Sequence, residues 1–353
     1  MKALVGGSIA VLIDGETIVS VGHESPPPSA EVIDCTGLTI APGFWNSHVH
    51  FFERKWADAA AIPAAELERQ LRDTFLRYGF TTVFDLSSPL ANTKIIRDRI
   101  ESGEVAGPRI LTTGEGLTPP GAVPSEQVLH AMGVMTAPLP EIASAADAAA
   151  NARKLLDAGA DGIKLFLSTP RGTTLPAGAI EAAVEQAHHA GKPVFVHPNS
   201  SDDVRVALRA GVDVIAHTTP RSGAWTFAPD GAALTPTLSV WKSFLRHDRV
   251  SVQEQMMRAA VDQLRTWIAA GGAVLFGTDL GAVDPDPAEE YALMRDAGMS
   301  FREILASLTT TPAARFGGLG GLAAGAQADL VAFDGDLANV RFTMRRGRVV
   351  WPV

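Results

Sequence analysis

What most constrains this chain is an alternation. From about residue 42 to residue 312, short β-rich runs are separated by stretches of helical periodicity. The runs are FWNSHVHF from 44, TTVFDL from 81, RILTTG from 109, GIKLFL from 162, PVFVH from 193, DVIAH from 213, ALTPTLSV from 233 and AVLFGTD from 273. Helical stretches such as AAELERQLRDTFLRYG, ASAADAAANARKLLDAGA, PAGAIEAAVEQAHHAG and QEQMMRAAVDQLRTWIAAGG lie between them, several closed by glycine as helix C-termini often are. Eight strand and helix pairs predict an α/β fold, a (β/α)8 TIM-like barrel, with functional side chains at the C-terminal ends of its strands.

The two ends of the chain read differently. Residues 1–41 hold the short strand candidates IAVLI, TIVSV and VIDCTGLTI, with a hairpin turn at Asp14-Gly15. Residues 313–353 return to short strands, with a turn at Arg346-Gly347. Neither piece is large enough to enclose a core, so the two are expected to join into one small composite β-sandwich beside a barrel domain at 42–312.

Composition narrows the class of function. With 353 residues, 46% of them apolar and 20% charged, the sequence reads as an ordinary globular enzyme. A formal charge of -9 argues against nonspecific binding to nucleic acid or an anionic membrane. The lone cysteine, Cys35, cannot close an intrachain disulfide, so a reducing cytoplasm is the default location and small apolar filler its expected role. The start MKALVGGSIAVLI superficially resembles a signal peptide, but no small-residue cleavage site follows, and no apolar run reaches the ~20 residues that span a bilayer.

Candidate chemistry begins with NSHVHF. In an extended strand, His48 and His50 point to the same side and can reach a common point, which suits a metal ion; alone, the pair reads as well as two strand-surface residues. Further candidates fall where the barrel rule places them: Lys164 within the fourth strand, His197 and His217 ending the fifth and sixth, Asp279 ending the eighth. Each has a plainer reading, a strand-end hydrogen bond for the histidines, a helix cap for Asp279, a rim salt bridge for Lys164. Together they form a shell for two divalent ions. An ammonium inside such a shell would be repelled and poorly solvated; the neutral amine can instead add carbon dioxide, and the resulting carbamate is an anion able to bridge two metals.

The segments APGFWNSHVHF, GFTTVFDL, GPRILTTGEGLT, DGIKLF, VFVH, IAH, FGTD and TTTPAARFGGLGGLAAGAQADLVAFDGD resemble the amidohydrolase superfamily across essentially the whole chain. The branch they look most like is imidazolonepropionase-related and includes prolidase-like dipeptidases with a binuclear metal centre and a carboxylated lysine. The resemblance implies His48, His50, His197 and His217 as metal ligands, Lys164 as carboxylated bridge, and Asp279 as ligand and proton shuttle. Two departures stand out. Asn46 occupies the place of a frequent family aspartate, and the stretch LTPPGAVPSEQVLHAMG replaces a common Gly-Gly-His element, leaving His130 as a stand-in.

The expected activity is metal-dependent hydrolysis of an amide or peptide C–N bond by a metal-bridging hydroxide, with Asp279 as general base and then general acid. Arg171 and Arg221, after the fourth and sixth strands, are candidates to clamp a substrate carboxylate, as in an N-acyl amino acid or dipeptide; exposed loop arginines are the plainer reading. Trp241 is expected to line the same mouth. Zinc suits the ligand set, with manganese, iron and cobalt as alternatives, and the partner is a small molecule, with a homo-oligomer left open. Other readings are a lactone, ester or phosphotriester hydrolase on the same site, a mononuclear deaminase, or a noncatalytic metal-binding protein.

Overall fold

The computed structural model describes residues 1–6, 9–23, 25–122, 139–168, 173–220, 224–243, 250–281, 286–318 and 321–352. The chain first builds β1 (Lys2–Gly6), β2 (Ile9–Asp14), β3 (Thr17–Gly22) and β4 (Glu31–Asp34), paired in the order β3-β2-β1-β4. A second sheet mixes the two ends of the chain: β5 (Thr39–Pro42) pairs antiparallel with β14 (Leu330–Phe333), which continues into β15 (Val340–Arg345) and β16 (Arg348–Trp351). Leu4, Val11, Ile13, Ile18 and Cys35 from the first sheet bury against Leu330, Ala332, Phe342 and Met344 from the second. This is the composite sandwich expected from the size of the two terminal pieces. Its hairpins follow their turn residues: Arg346 (φ 50°) and Gly347 (φ 70°) both lie in the left-handed region that a two-residue turn between twisted strands requires.

All eight β-rich runs become parallel strands: β6 (Phe44–Val49), β7 (Phe80–Asp85), β8 (Arg109–Thr112), β9 (Ile163–Phe166), β10 (Val194–His197), β11 (Val214–Ala216), β12 (Ala233–Thr235) and β13 (Ala273–Val274). They pair as β6-β7-β8 and β9-β10-β11-β12-β13. Two parallel bridges, Leu117↔Leu165 and Val49↔Leu280, join the groups on either side, so the eight strands close into a barrel. Helices cover its outside. That of Ala145–Asp157 starts on the side chain of Ser144, which accepts from Asp147 N, and those of Ser201–Arg209 and Phe301–Leu308 start on full capping boxes.

Strand alternation separates two apolar layers. Ile163, Leu165, Val194, Val196 and Ile215 pack outward against the helices, while Trp45, Phe84, Phe195, Val214, Ala216 and Leu275 form an interior cluster. Phe316, the last residue of the helix Thr310–Phe316, plugs that interior, with ring centroids 5.1 Å from Phe84 and 5.6 Å from Phe195. The barrel therefore has an aromatic floor, and polar side chains collect at the opposite, C-terminal end. Among the described residues no helix is long and apolar enough to cross a membrane.

Candidate metal centre

Five of the six predicted ligand side chains meet on one oxygen or on one another's rings. His48 Nε2 lies 2.9 Å and His50 Nε2 2.8 Å from Asp279 Oδ1, with His217 Nε2 at 3.9 Å from the same atom. The His48 and His217 rings are 4.5 Å apart, as are those of His197 and His217. Lys164, 1% exposed, pairs across the sheet with Phe195 and sits 5.5 Å from the Phe166 ring, which in turn lies 5.4 Å from the His197 ring. The ammonium is close enough to weigh on both His48 and His197.

Local backbone explains the convergence. Register shifts in β6 free its end from strict pairing, and His48 and His50 turn into the barrel mouth. Along β11, His217 would follow Ile215 outward; its φ of 104° turns it back. Asp279 (φ 59°) follows a close approach at Gly277, where a Cβ would stand 2.3 Å from Thr235 Cγ2 and 2.8 Å from His48 Cβ. Non-glycine residues with positive φ are costly and gather at functional sites; His217, Thr237 and Asp279 lie in this way just beyond three successive strands.

The electrostatics favour ligation. Burial, followed by the Lys164 charge, lowers His48 and His197 to about 3, and burial takes His217 well below the usual histidine range. All three imidazoles are therefore neutral near pH 7. Burial would raise Asp279, but the facing imidazoles outweigh it and hold its carboxyl well below the usual carboxylate range. Neither ring nitrogen of His48 makes a hydrogen bond, even though Nε2 lies 2.9 Å from the carboxylate; its direction is wrong for one. A fully buried imidazole with two orphaned nitrogens is costly, and a cation is what its lone pair suits. Ligand atoms of His48, His217 and Asp279 all lie within 4.8 Å of one another, so the donor set fits a divalent metal.

Asn46 gives the family departure a structural meaning. Its Oδ1 accepts from Thr278 N (3.2 Å) and His48 N (3.3 Å), and its Nδ2 donates to Thr278 Oγ1 (2.8 Å). It ties the strand carrying His48 to the residue before Asp279. Three buried groups escape a reading of strand ends alone. Asp85, closing β7, accepts from Thr112 Oγ1 (2.7 Å), Thr93 Oγ1 (3.2 Å), Ser88 Oγ and Phe51 N (3.2 Å), and so anchors the backbone just after His50. Thr237 and Glu290 are the others. A carboxylate ending a barrel strand in GFTTVFDL was the available signal for Asp85.

Of the predicted substrate residues, His130, Arg171 and Arg221 lie outside the described residues. Trp241 is 7% exposed in the apolar core, and its Nε1 donates to Thr218 Oγ1 at 2.8 Å, bracing the residue after His217.

Residues 39–350 match the Amidohydrolase family. A prolidase solved with N-methylphosphonate-L-proline superposes with a TM-score of 0.78 at 25% identity, covering 99% of this chain and 98% of that one. A Xaa-Pro dipeptidase with methionine bound in its active site gives 0.80 at 24% identity, covering 98% and 97%. The dihydroorotase of Streptococcus thermophilus strain CNRZ 1066 is 46% identical over 43 residues, 12% of this chain and 10% of that enzyme, so that likeness is confined to a short stretch.

Proposed function

Because the chain belongs to the amidohydrolase family, on its prolidase-like branch, we propose that it is a divalent-metal-dependent hydrolase of C–N bonds acting on an N-acyl amino acid or dipeptide. The observation that carries this reading is the buried meeting of His48, His50 and His217 on the Asp279 carboxylate at the C-terminal end of a closed barrel.

In this reading His48, His50, His197, His217, Asp279 and, as a carbamate, Lys164 would hold two divalent metal ions, zinc by preference. The ammonium first loses a proton; the amine's lone pair then forms the N–C bond to carbon dioxide and a second proton leaves, so a buried cation gives way to an anion beside lone-pair ligands. Bound there, the ions would lower the pKa of water and polarise the scissile carbonyl. Asp279 is the catalytic residue. Ionised in the resting site, it accepts the proton of the attacking water as the C–O bond forms, then passes it to the nitrogen as the C–N bond breaks. Arg171 and Arg221 remain our candidates for the substrate carboxylate, and His130 a further candidate for substrate contact. We also take residues 42–312 as the catalytic domain, and 1–41 with 313–353 as the sandwich.

The test is a hydrolysis screen of Xaa-Pro dipeptides, N-acyl amino acids, lactones and phosphotriesters, with and without chelation. Turnover of an amide class that vanishes on chelation and returns with metal is expected. Turnover confined to lactones or phosphotriesters would overturn the bond assignment.

A further inference from the structure

We infer that Thr237 is a positioning residue: held in place through Leu238 and Ser239, which Glu290 anchors, it fixes His217 in the tautomer that carries hydrogen on Nδ1, so that Nε2 is the nitrogen offered to metal. This rests on the metal reading above and adds two residues to it.

The assignment follows from counting hydrogens. Thr237 Oγ1 lies 2.9 Å from Pro236 O and 2.6 Å from His217 Nδ1. A carbonyl only accepts, so the single hydroxyl hydrogen goes to Pro236 O. Toward the imidazole the hydroxyl is then an acceptor, and Nδ1 must donate. In a neutral ring, a proton on Nδ1 leaves Nε2 bare. Nε2 is the nitrogen that faces Asp279 Oδ1, at 3.9 Å, too far for a direct hydrogen bond.

Something must hold Thr237 where it does this. At φ 43° a β-branched residue is strained, and it would relax unless its neighbours were tied. The ties are on the next two residues. Glu290, fully buried in the helix Pro287–Asp296, accepts from Leu238 N through one oxygen, and from Ser239 N and Ser239 Oγ through the other, each at 2.8 Å. The loop after β12 is thus anchored to the helix that follows β13, and the hydroxyl is presented to His217 from a fixed position. Hydrogen bonds from outer partners set the orientation of metal-binding histidines, and losing one typically costs 10–100-fold in metal affinity.

The test uses full-length protein labelled with 15N-histidine. Long-range 1H–15N correlation on metal-free protein reads the His217 tautomer, assigned by comparison with His217→Gln. Wild type and Thr237→Ser are expected to show hydrogen on Nδ1; Thr237→Val, which keeps the branch and loses the hydroxyl, is expected to lose that preference. Zinc affinity by chelator competition should fall about 10–100-fold in Thr237→Val and recover in Thr237→Ser. Hydrogen on Nε2 in the wild type, or an unchanged tautomer and zinc affinity in Thr237→Val, overturns the inference. The wild-type spectrum decides by itself should the valine variant fail to fold. Because the tautomer is read without metal, a protein that shows hydrogen on Nδ1 yet binds no zinc would sink the metal reading, not the role of Thr237.

Discussion

Glu290→Gln offers a quantitative check on how the site is braced. Burial pushes the Glu290 carboxyl up to about 7 from 4.5, outweighing the donors from Ser239 and Leu238 that favour its charge. Between those two values the folded protein holds a proton that the unfolded chain has released. Stability contributed by this group is therefore full below pH 4.5 and is lost as pH rises through 7. Every pH unit separating the folded from the unfolded titration corresponds to about 1.4 kcal/mol, so the loss across the window is about 3 kcal/mol. Glutamine has the same shape and no titration. The stability of the wild type relative to Glu290→Gln, measured on metal-free protein by urea unfolding at pH 4.5, 5.5, 6.5 and 7.5, should fall by about 3 kcal/mol across the series. Any fixed cost of setting the amide NH2 against a backbone donor displaces every point equally and leaves the slope intact. A pH-independent difference would mean that Glu290 titrates alike in the folded and unfolded chain, and the reasoning that burial outweighs its three donors would be refuted.

Other perturbations probe the rest of the centre. In Gly277→Ala the new methyl would meet Thr235 and His48, so we expect a loss of about 1–3 kcal/mol together with weaker zinc binding, both measurable by thermal unfolding with and without zinc. Asn46→Leu leaves Thr278 N and His48 N unpaired and should cost about 1–3 kcal/mol in the same assay. For metal-free protein, His48 and His197 stay neutral to about 3, so stability should drop as pH falls below 6.5, when the unfolded imidazoles gain protons first; a flat urea midpoint from pH 6.5 to 4 would contradict their burial. Asp279→Asn keeps the shape and removes the base, and should lower kcat for the amide substrate by at least about 100-fold.

How much of this was legible in the sequence depended on how local each signal was. Strands buried on both faces read as apolar runs, so PVFVH and DVIAH declared themselves, and the residue closing each run is the one a barrel turns toward its mouth. The sandwich was legible only as two pieces too small to stand alone; that β5 lies beside β14 is a contact between residues some 290 positions apart, which no local pattern encodes. Thr237 and Glu290 were missed for a related reason. Thr237 meets a partner 20 residues away and Glu290 one 52 residues away, and each is ordinary in its own segment. The packing of Trp241 against the core was not legible because the helix Val240–Ser243 is a single turn, too short to reveal by periodicity which side faces inward.

A binuclear centre bridged by a modified lysine is open to direct observation by diffraction from zinc-loaded protein, with data collected on both sides of the zinc absorption edge. Two anomalous peaks are expected among His48, His50, His197, His217 and Asp279, with carbamate density on Lys164 between them. Peaks elsewhere, no peaks, or an unmodified Lys164 turned away from the imidazoles would contradict that centre.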